Sequence, residues 1–300
     1  MAAADDASNK PTTPGSTPGV ARDHGRAGRN LPAAIAVGVG LFLLLVITLG
    51  WFNLGFVIIM AAALALGSIE VSQAMHKIGI RTAIIPIVIG TVAIIIGSYV
   101  AHVEERVNSN LWMLGILGMT VLISLVWRMP GGSEGYIRDA SGSMLIIGWI
   151  PFLGAFASMM LAGDQGPVRV ITFLVVIVLS DTGGYAVGVL FGKHPMAPRI
   201  SPKKSWEGFA GSLFFGTAGA VFMMVIFFEE AWWTGLVLGV GLVLAGACGD
   251  LVESLVKRDI GIKDMSSFLP GHGGVMDRLD SLLLAAPVGW LVLLIFVPGG

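Results

Sequence analysis

Thr82-Ala83-Ile84-Ile85-Pro86-Ile87-Val88-Ile89-Gly90-Thr91-Val92-Ala93-Ile94-Ile95-Ile96-Gly97-Ser98-Tyr99-Val100 runs for 19 residues without one charged side chain. Roughly 18 or more apolar residues are what a helix needs to cross the hydrocarbon core of a bilayer. Comparable runs recur along most of the chain. In lipid every backbone polar group must be satisfied internally, so only helices or a closed barrel can span. The apolar residues here are continuous and do not alternate with period two, which selects helices. The chain is therefore expected to be an all-α, polytopic integral membrane protein.

Composition agrees. Of 300 residues, 55% are hydrophobic and 12% charged, with a mean hydropathy of +0.85. A soluble domain carries about 25% charge, so this chain cannot cover a water-facing surface in the usual way. The net charge of −1 argues neither for nor against nucleic acid, and none is expected as a partner. Cys248 is the only cysteine, which excludes an intramolecular disulfide and a thiolate zinc cluster. It is read as a small buried packing residue.

Residues 1–30 mix Ala, Pro, Thr, Ser, Gly and charge without hydrophobic period and are expected to be a disordered tail. The apolar stretch after them is longer than a signal-peptide core and is kept as a span. Nine spans are predicted, near 31–50, 53–69, 82–100, 111–128, 141–162, 168–190, 207–228, 233–256 and 281–298. They divide into an N-terminal membrane region, 31–165, and a C-terminal region, 166–300, that carries the polar loops. If the N-terminus is cytoplasmic, 16 of the 18 Lys and Arg residues fall on the cytoplasmic side. Only Arg106 and Arg169 fall opposite, so the positive-inside rule predicts N-in and C-out. Gly208, Gly211, Gly216 and Gly219 would let helices approach closely.

Two segments break the apolar background on that same side. One runs from Asp181-Thr182-Gly183-Gly184-Tyr185 through Ser201-Pro202-Lys203-Lys204-Ser205-Trp206-Glu207-Gly208; the other runs from Gly249-Asp250 to Asp280. Within 257–280, eight of 24 residues are Asp, Lys or Arg, too dense for a simple connection. Helical spacing puts Asp250, Glu253, Ser254 and Lys257 on one face. Asp277 and Asp280 share a face if the last helix begins near them, and Asp181 ends another apolar run. Such acids usually face a bundle interior or a wet cavity. Carboxylates gathered from separate helix ends suit Mg²⁺ that also binds substrate phosphates. Lys203 and Lys204, just before a helix start, form a natural anion site. Lys257, Arg258, Lys263 and Arg278 interleave with the acids, and Gly273 and Gly274 leave the backbone free to approach a ligand. His272 is the only histidine in this constellation and reads as a phosphate-binding or positioning group. The mixture points to a metal-bridged polyphosphate site.

Ser254, Lys257, Arg258, Lys263, Asp264, Pro270, His272, Gly273, Gly274, Asp277, Arg278 and Asp280 reproduce a signature of the form S-x-x-K-R-x4-K-D, spacer, P-x-H-G-G-x-x-D-R-x-D. In this the chain resembles the phosphatidate cytidylyltransferase (CDP-diacylglycerol synthase) family. Its Asp-Thr-Gly-Ala-Tyr and Ser-Pro-Lys-Lys-Thr-Trp-Glu-Gly motifs are also matched, with Gly184 for alanine and Ser205 for threonine. The likeness covers roughly 170–298. It implies a bacterial inner-membrane enzyme, its site facing the cytoplasm, that joins CTP to phosphatidic acid and releases pyrophosphate. By the same resemblance Asp250 and Asp277 would be the principal ligands of two divalent ions, with Asp280, Asp181 and Glu253 as further candidates; a monovalent cation is left open. Lys203, Lys204, Lys257, Arg258 and Arg278 would hold phosphates and neutralise the leaving group, with Ser201, Ser205, Lys263, His272, Gly273 and Gly274 binding substrate. A homodimer is implied as well. The rival readings are a CTP-dependent polyprenol kinase or other membrane cytidylyltransferase, and an ion-coupled transporter.

Overall fold

The computed structural model describes residues 40, 43–104, 108–198, 200–266 and 273–297. The tail 1–30, most of the first predicted span, Arg106 and His272 lie outside the described residues. Residues 43–51 are helical and break at Phe52, in the gap between the first two predicted spans. Nine long helices follow among the described residues: α1 (Asn53–Lys77), α2 (Ile84–Val103), α3 (Ser109–Trp127), α4 (Tyr136–Trp149), α5 (Pro151–Ala162), α6 (Gly166–Phe191), α7 (Trp206–Phe227), α8 (Trp232–Ile260) and α9 (Met276–Phe296). With α4 and α5 counted as one, eight spans among the described residues are long and apolar enough to cross a membrane. The chain is thus a multi-pass, all-α membrane protein.

Details depart from the hydropathy reading where polar groups are satisfied locally. The span predicted to start at 141 begins a full turn earlier, at Tyr136. Asp139, only 1% exposed, can enter the helix because Arg128 Nε stands 2.7 Å from its Oδ2 and the Arg81 amide donates to Oδ1 at 3.0 Å. The same span breaks at Ile150, ahead of Pro151 at the start of α5, where proline is tolerated because no helical donor is lost. Between α6 and α7, Pro195–Ala197 (β1) and Ser201–Ser205 (β2) pair as a short antiparallel hairpin. Cys248 is exposed, not buried: it lies on a face of α8 that no other described helix covers.

The helices share one apolar core drawn from both halves of the chain, including Leu64, Val71, Ile94, Ile150, Val176, Leu238, Met276 and Leu293. Helix α9 is central to it. It packs on α8, α5 and α1, and buried Arg169 donates to the Leu293 and Val297 carbonyls at its C-terminal end. A cation there complements the helix dipole and fills otherwise orphan acceptors. Helices α6 and α7 pack closely, and the buried glycines Gly208, Gly211, Gly216 and Gly219 make it possible. A Cβ on Gly211 would stand 2.6 Å from Val187 Cβ and 2.8 Å from the Gly183 carbonyl oxygen. Gly211→Val is therefore expected to destabilise the protein by about 1–3 kcal/mol through overpacking. Thermal unfolding in detergent measures this, and an unshifted midpoint would contradict the α6–α7 packing.

Candidate active site

A cavity of about 700 Å³ opens where α6, α7 and α8 meet the hairpin, with Ser281 of α9 completing its wall. Asp181 and Gly184 contribute from α6, Lys203, Lys204 and Ser205 from β2, Gly208 and Ser212 from α7, and Asp250 from α8. The backbone explains how these polar groups come together. Ser205 caps α7, its hydroxyl accepting from the Gly208 amide at 3.1 Å. Glu207, the second residue of α7, accepts from the amides of Lys193 and His194 at 3.1 and 3.2 Å and faces His194 Nδ1 at 2.5 Å. These bonds tie the chain just before β1 to the start of α7, closing the base of the hairpin whose Met196, Lys203 and Lys204 line the cavity. Its Nζ lies 2.5 Å from Asp250 Oδ2. Asp181 interacts electrostatically with both members of that pair.

A second group adjoins the first. Lys257 bridges Glu253, one turn back on α8, and Asp277 at the start of α9, the latter at 2.9 Å. Asp277 Oδ2 also accepts from the Gly274 amide at 2.8 Å and the Met265 amide at 3.2 Å. Asp280 adjoins both groups, within electrostatic reach of the like-charged Asp250 and Glu253. The close approach depends on Gly249, where a Cβ would strike the Asp280 carbonyl. As read from the sequence, Asp277 and Asp280 sit on one face of the first turn of α9.

Five carboxylates from three helices are thus met by two lysines. Their hard oxygen donors and surplus negative charge suit Mg²⁺, though among the described residues no three acidic, histidine or cysteine side chains stand together in ligating geometry. The expected acids form two adjoining groups, not one shell. Arg258 Nε reaches the Ile200 carbonyl at 3.5 Å, tying the end of α8 to the hairpin that carries Ser201. Lys263 and Arg278 are exposed and do not line the cavity. Gly273 takes a left-handed φ of +85°, which glycine tolerates best. A Cβ on Gly274 would lie 2.7 Å from Glu70 Oε2 and 3.0 Å from Asp277 Oδ2, so this glycine admits two of the protein's own carboxylates.

The sequence reading missed Glu70. It is 5% exposed in the C-terminal half of α1 and accepts from Ser266 Oγ at 2.5 Å, the Val275 amide at 3.0 Å and the Met276 amide at 2.8 Å. One signal was available: a lone acid inside the apolar run Gly67-Ser68-Ile69-Glu70-Val71, of the kind that marks function in a membrane helix.

Residues 32–296 match the model of the cytidylyltransferase family. A phosphatidate cytidylyltransferase of Mycobacterium leprae is 41% identical over 285 residues, covering 89% of each chain. A protein of the same name from Mycobacterium tuberculosis strain H37Rv is 40% identical over 286 residues, covering 91% of this chain and 85% of its own. A third, from Staphylococcus aureus strain COL, is 30% identical over 87% of this chain and 96% of its own.

Proposed function

This chain belongs to the cytidylyltransferase family, and we propose from that premise that it transfers the cytidylyl group of CTP to phosphatidic acid. The observation that carries the reading is the cavity in which Lys204 of the hairpin strand β2 faces Asp250 of α8, beside Asp181 of α6. A phosphate oxygen of phosphatidic acid attacks the α-phosphorus of CTP. The bond from that phosphorus to the bridging oxygen breaks, CDP-diacylglycerol forms and pyrophosphate leaves. Phosphatidic acid is ionised at neutral pH, so the attacking oxygen needs no strong base. That agrees with a site built from acids and lysines without an activated nucleophile.

Lys204, with Lys203 beside it, is placed to bind the triphosphate from the hairpin side. Preorganised cations in a partly water-excluded cavity stabilise charge that develops on the leaving group. Mg²⁺ held by Asp250 and Asp277, with Asp280, Asp181 and Glu253 close by, would neutralise the triphosphate and the departing pyrophosphate. Lys257 holds Asp277 against Glu253 and so keeps the α8 and α9 ends in register. The lipid substrate stays in the bilayer while CTP arrives from water, and a cavity at helix ends serves both.

The site is placed on the cytoplasmic side of a bacterial inner membrane, which the 16-to-2 distribution of basic residues supports. A homodimer is the proposed assembly, on the family resemblance. Purified protein given phosphatidic acid, Mg²⁺ and CTP labelled at the α or γ phosphate tests the reaction. The α label is expected in the lipid and the γ label in pyrophosphate. Entry of the γ label into a lipid acceptor would make the enzyme a kinase and overturn the proposal.

A further inference from the structure

Helix α9 begins at a capping residue that makes no side-chain bond of its own. The first amides of a helix lack intrahelical acceptors and are normally met by a capping side chain just before them. Here the capping position is Val275, whose side chain has no acceptor, and among the described residues no neighbouring side chain caps the helix. The acceptor comes instead from the other half of the chain. Glu70 takes the Val275 amide on Oε1 and the Met276 amide on Oε2, across 205 and 206 residues of sequence. Its Oε1 also accepts from the Ser266 hydroxyl, so one carboxylate grips the chain at 266 and again at 275–276. A buried carboxylate is costly unless donors surround it, and these three donors with the positive end of the helix dipole make this one tolerable. Gly67, one turn before Glu70, lies against Met276 and Leu279, so α1 and the start of α9 touch directly.

Asp277 follows immediately after the two gripped amides. Its carboxylate bonds to Lys257, Met265 and Gly274, all within the region that Glu70 frames. We propose that Glu70 is a positioning residue for the reaction: it acts as a remote cap on α9 and sets where Asp277 stands. The N-terminal helices are then part of the catalytic apparatus and not only a membrane anchor. The inference rests on the reaction proposed at Asp277.

The experiment compares the full-length wild type with Glu70→Gln in detergent by hydrogen–deuterium exchange and by steady-state kinetics. The amide variant keeps the volume and one acceptor but presents a donor to a backbone N–H. Exchange in the segment 273–280 is expected to rise, and kcat to fall about 10- to 100-fold, the scale of a small misplacement of a reacting group. KM for CTP is expected to stay within about threefold, because the cavity lysines are untouched. Unchanged exchange in 273–280, or faster exchange with unchanged kcat, would overturn the proposal. If Glu70→Gln does not fold, Ser266→Ala decides, since it removes one donor and little packing. Faster exchange in 273–280 with kcat about threefold lower supports the role; no change in either sinks it. The exchange measurement uses no substrate. A wild type that transfers no cytidylyl group would therefore remove the reaction while exchange still decided whether Glu70 caps α9.

Discussion

Replacing Asp250 by Asn is expected to lower turnover by about 1,000-fold or more while leaving the folded protein in place. The two halves of that expectation come from different magnitudes. Asp250 and Lys204 have side chains 28% and 30% exposed, and a pair that wet contributes about 1 kcal/mol or less to stability. Loss of the pair therefore cannot unfold the bundle. In the reaction the same carboxylate does more. It faces Lys204 across the cavity, lies in the electrostatic field of Asp181 and Asp280, and is a proposed Mg²⁺ ligand. Removing a group aimed at developing charge costs about 3–4 kcal/mol or more in the transition state, and each 1.4 kcal/mol is about tenfold in rate. Asparagine keeps the size and one acceptor, so a loss of this order would reflect charge. Activity of Asp250→Asn within about tenfold of wild type, with an unshifted thermal midpoint, would remove Asp250 from the site.

What the sequence made legible, and what it did not, follows the range of the interactions involved. Hydropathy located the spans because lipid imposes its rule on every residue of a helix. It misplaced the start of α4 because Asp139 looks like a loop residue until Arg128 and the Arg81 amide are seen around it. It did not reveal the hairpin at 195–205, whose short strands are stabilised by Glu207 from the next helix. The acids and lysines of the site were legible as a density of charge where charge is rare. Their pairings were not. Nothing in spacing links Lys204 to Asp250 or Lys257 to Asp277, because those contacts depend on how α6 through α9 pack. Cys248 shows the converse error: an apolar run guarantees a membrane environment but not a protein neighbour. Glu70 is the furthest case, a lone acid whose meaning depends on amides more than 200 residues away.

Asp277→Asn is expected to abolish measurable turnover, and unlike Asp250→Asn it should also weaken the fold. The carboxylate of Asp277 accepts on both oxygens, from Lys257 and Met265 on one and from Met265 and Gly274 on the other. An amide can place an oxygen toward only one of those sides and turns an NH₂ toward donors on the other. A buried donor left without an acceptor costs about 1–3 kcal/mol. The larger penalty of stranding a charge does not apply in full, since Lys257 keeps its bond to Glu253. The predicted loss of about 1–3 kcal/mol would lower the thermal midpoint without preventing membrane insertion. Turnover should fall further than that loss explains, because the residue is also a proposed ligand of the ion that neutralises the triphosphate. Stability and catalysis can be separated with Lys257→Met, which leaves the Asp277 carboxylate charged and still bonded to the Met265 and Gly274 amides. That variant should retain more activity than Asp277→Asn at a comparable or lower thermal midpoint. Equal activity of the two at equal stability would mean that Asp277 serves only to hold the α8–α9 connection, and near-normal turnover of Asp277→Asn would end its assignment as a metal ligand.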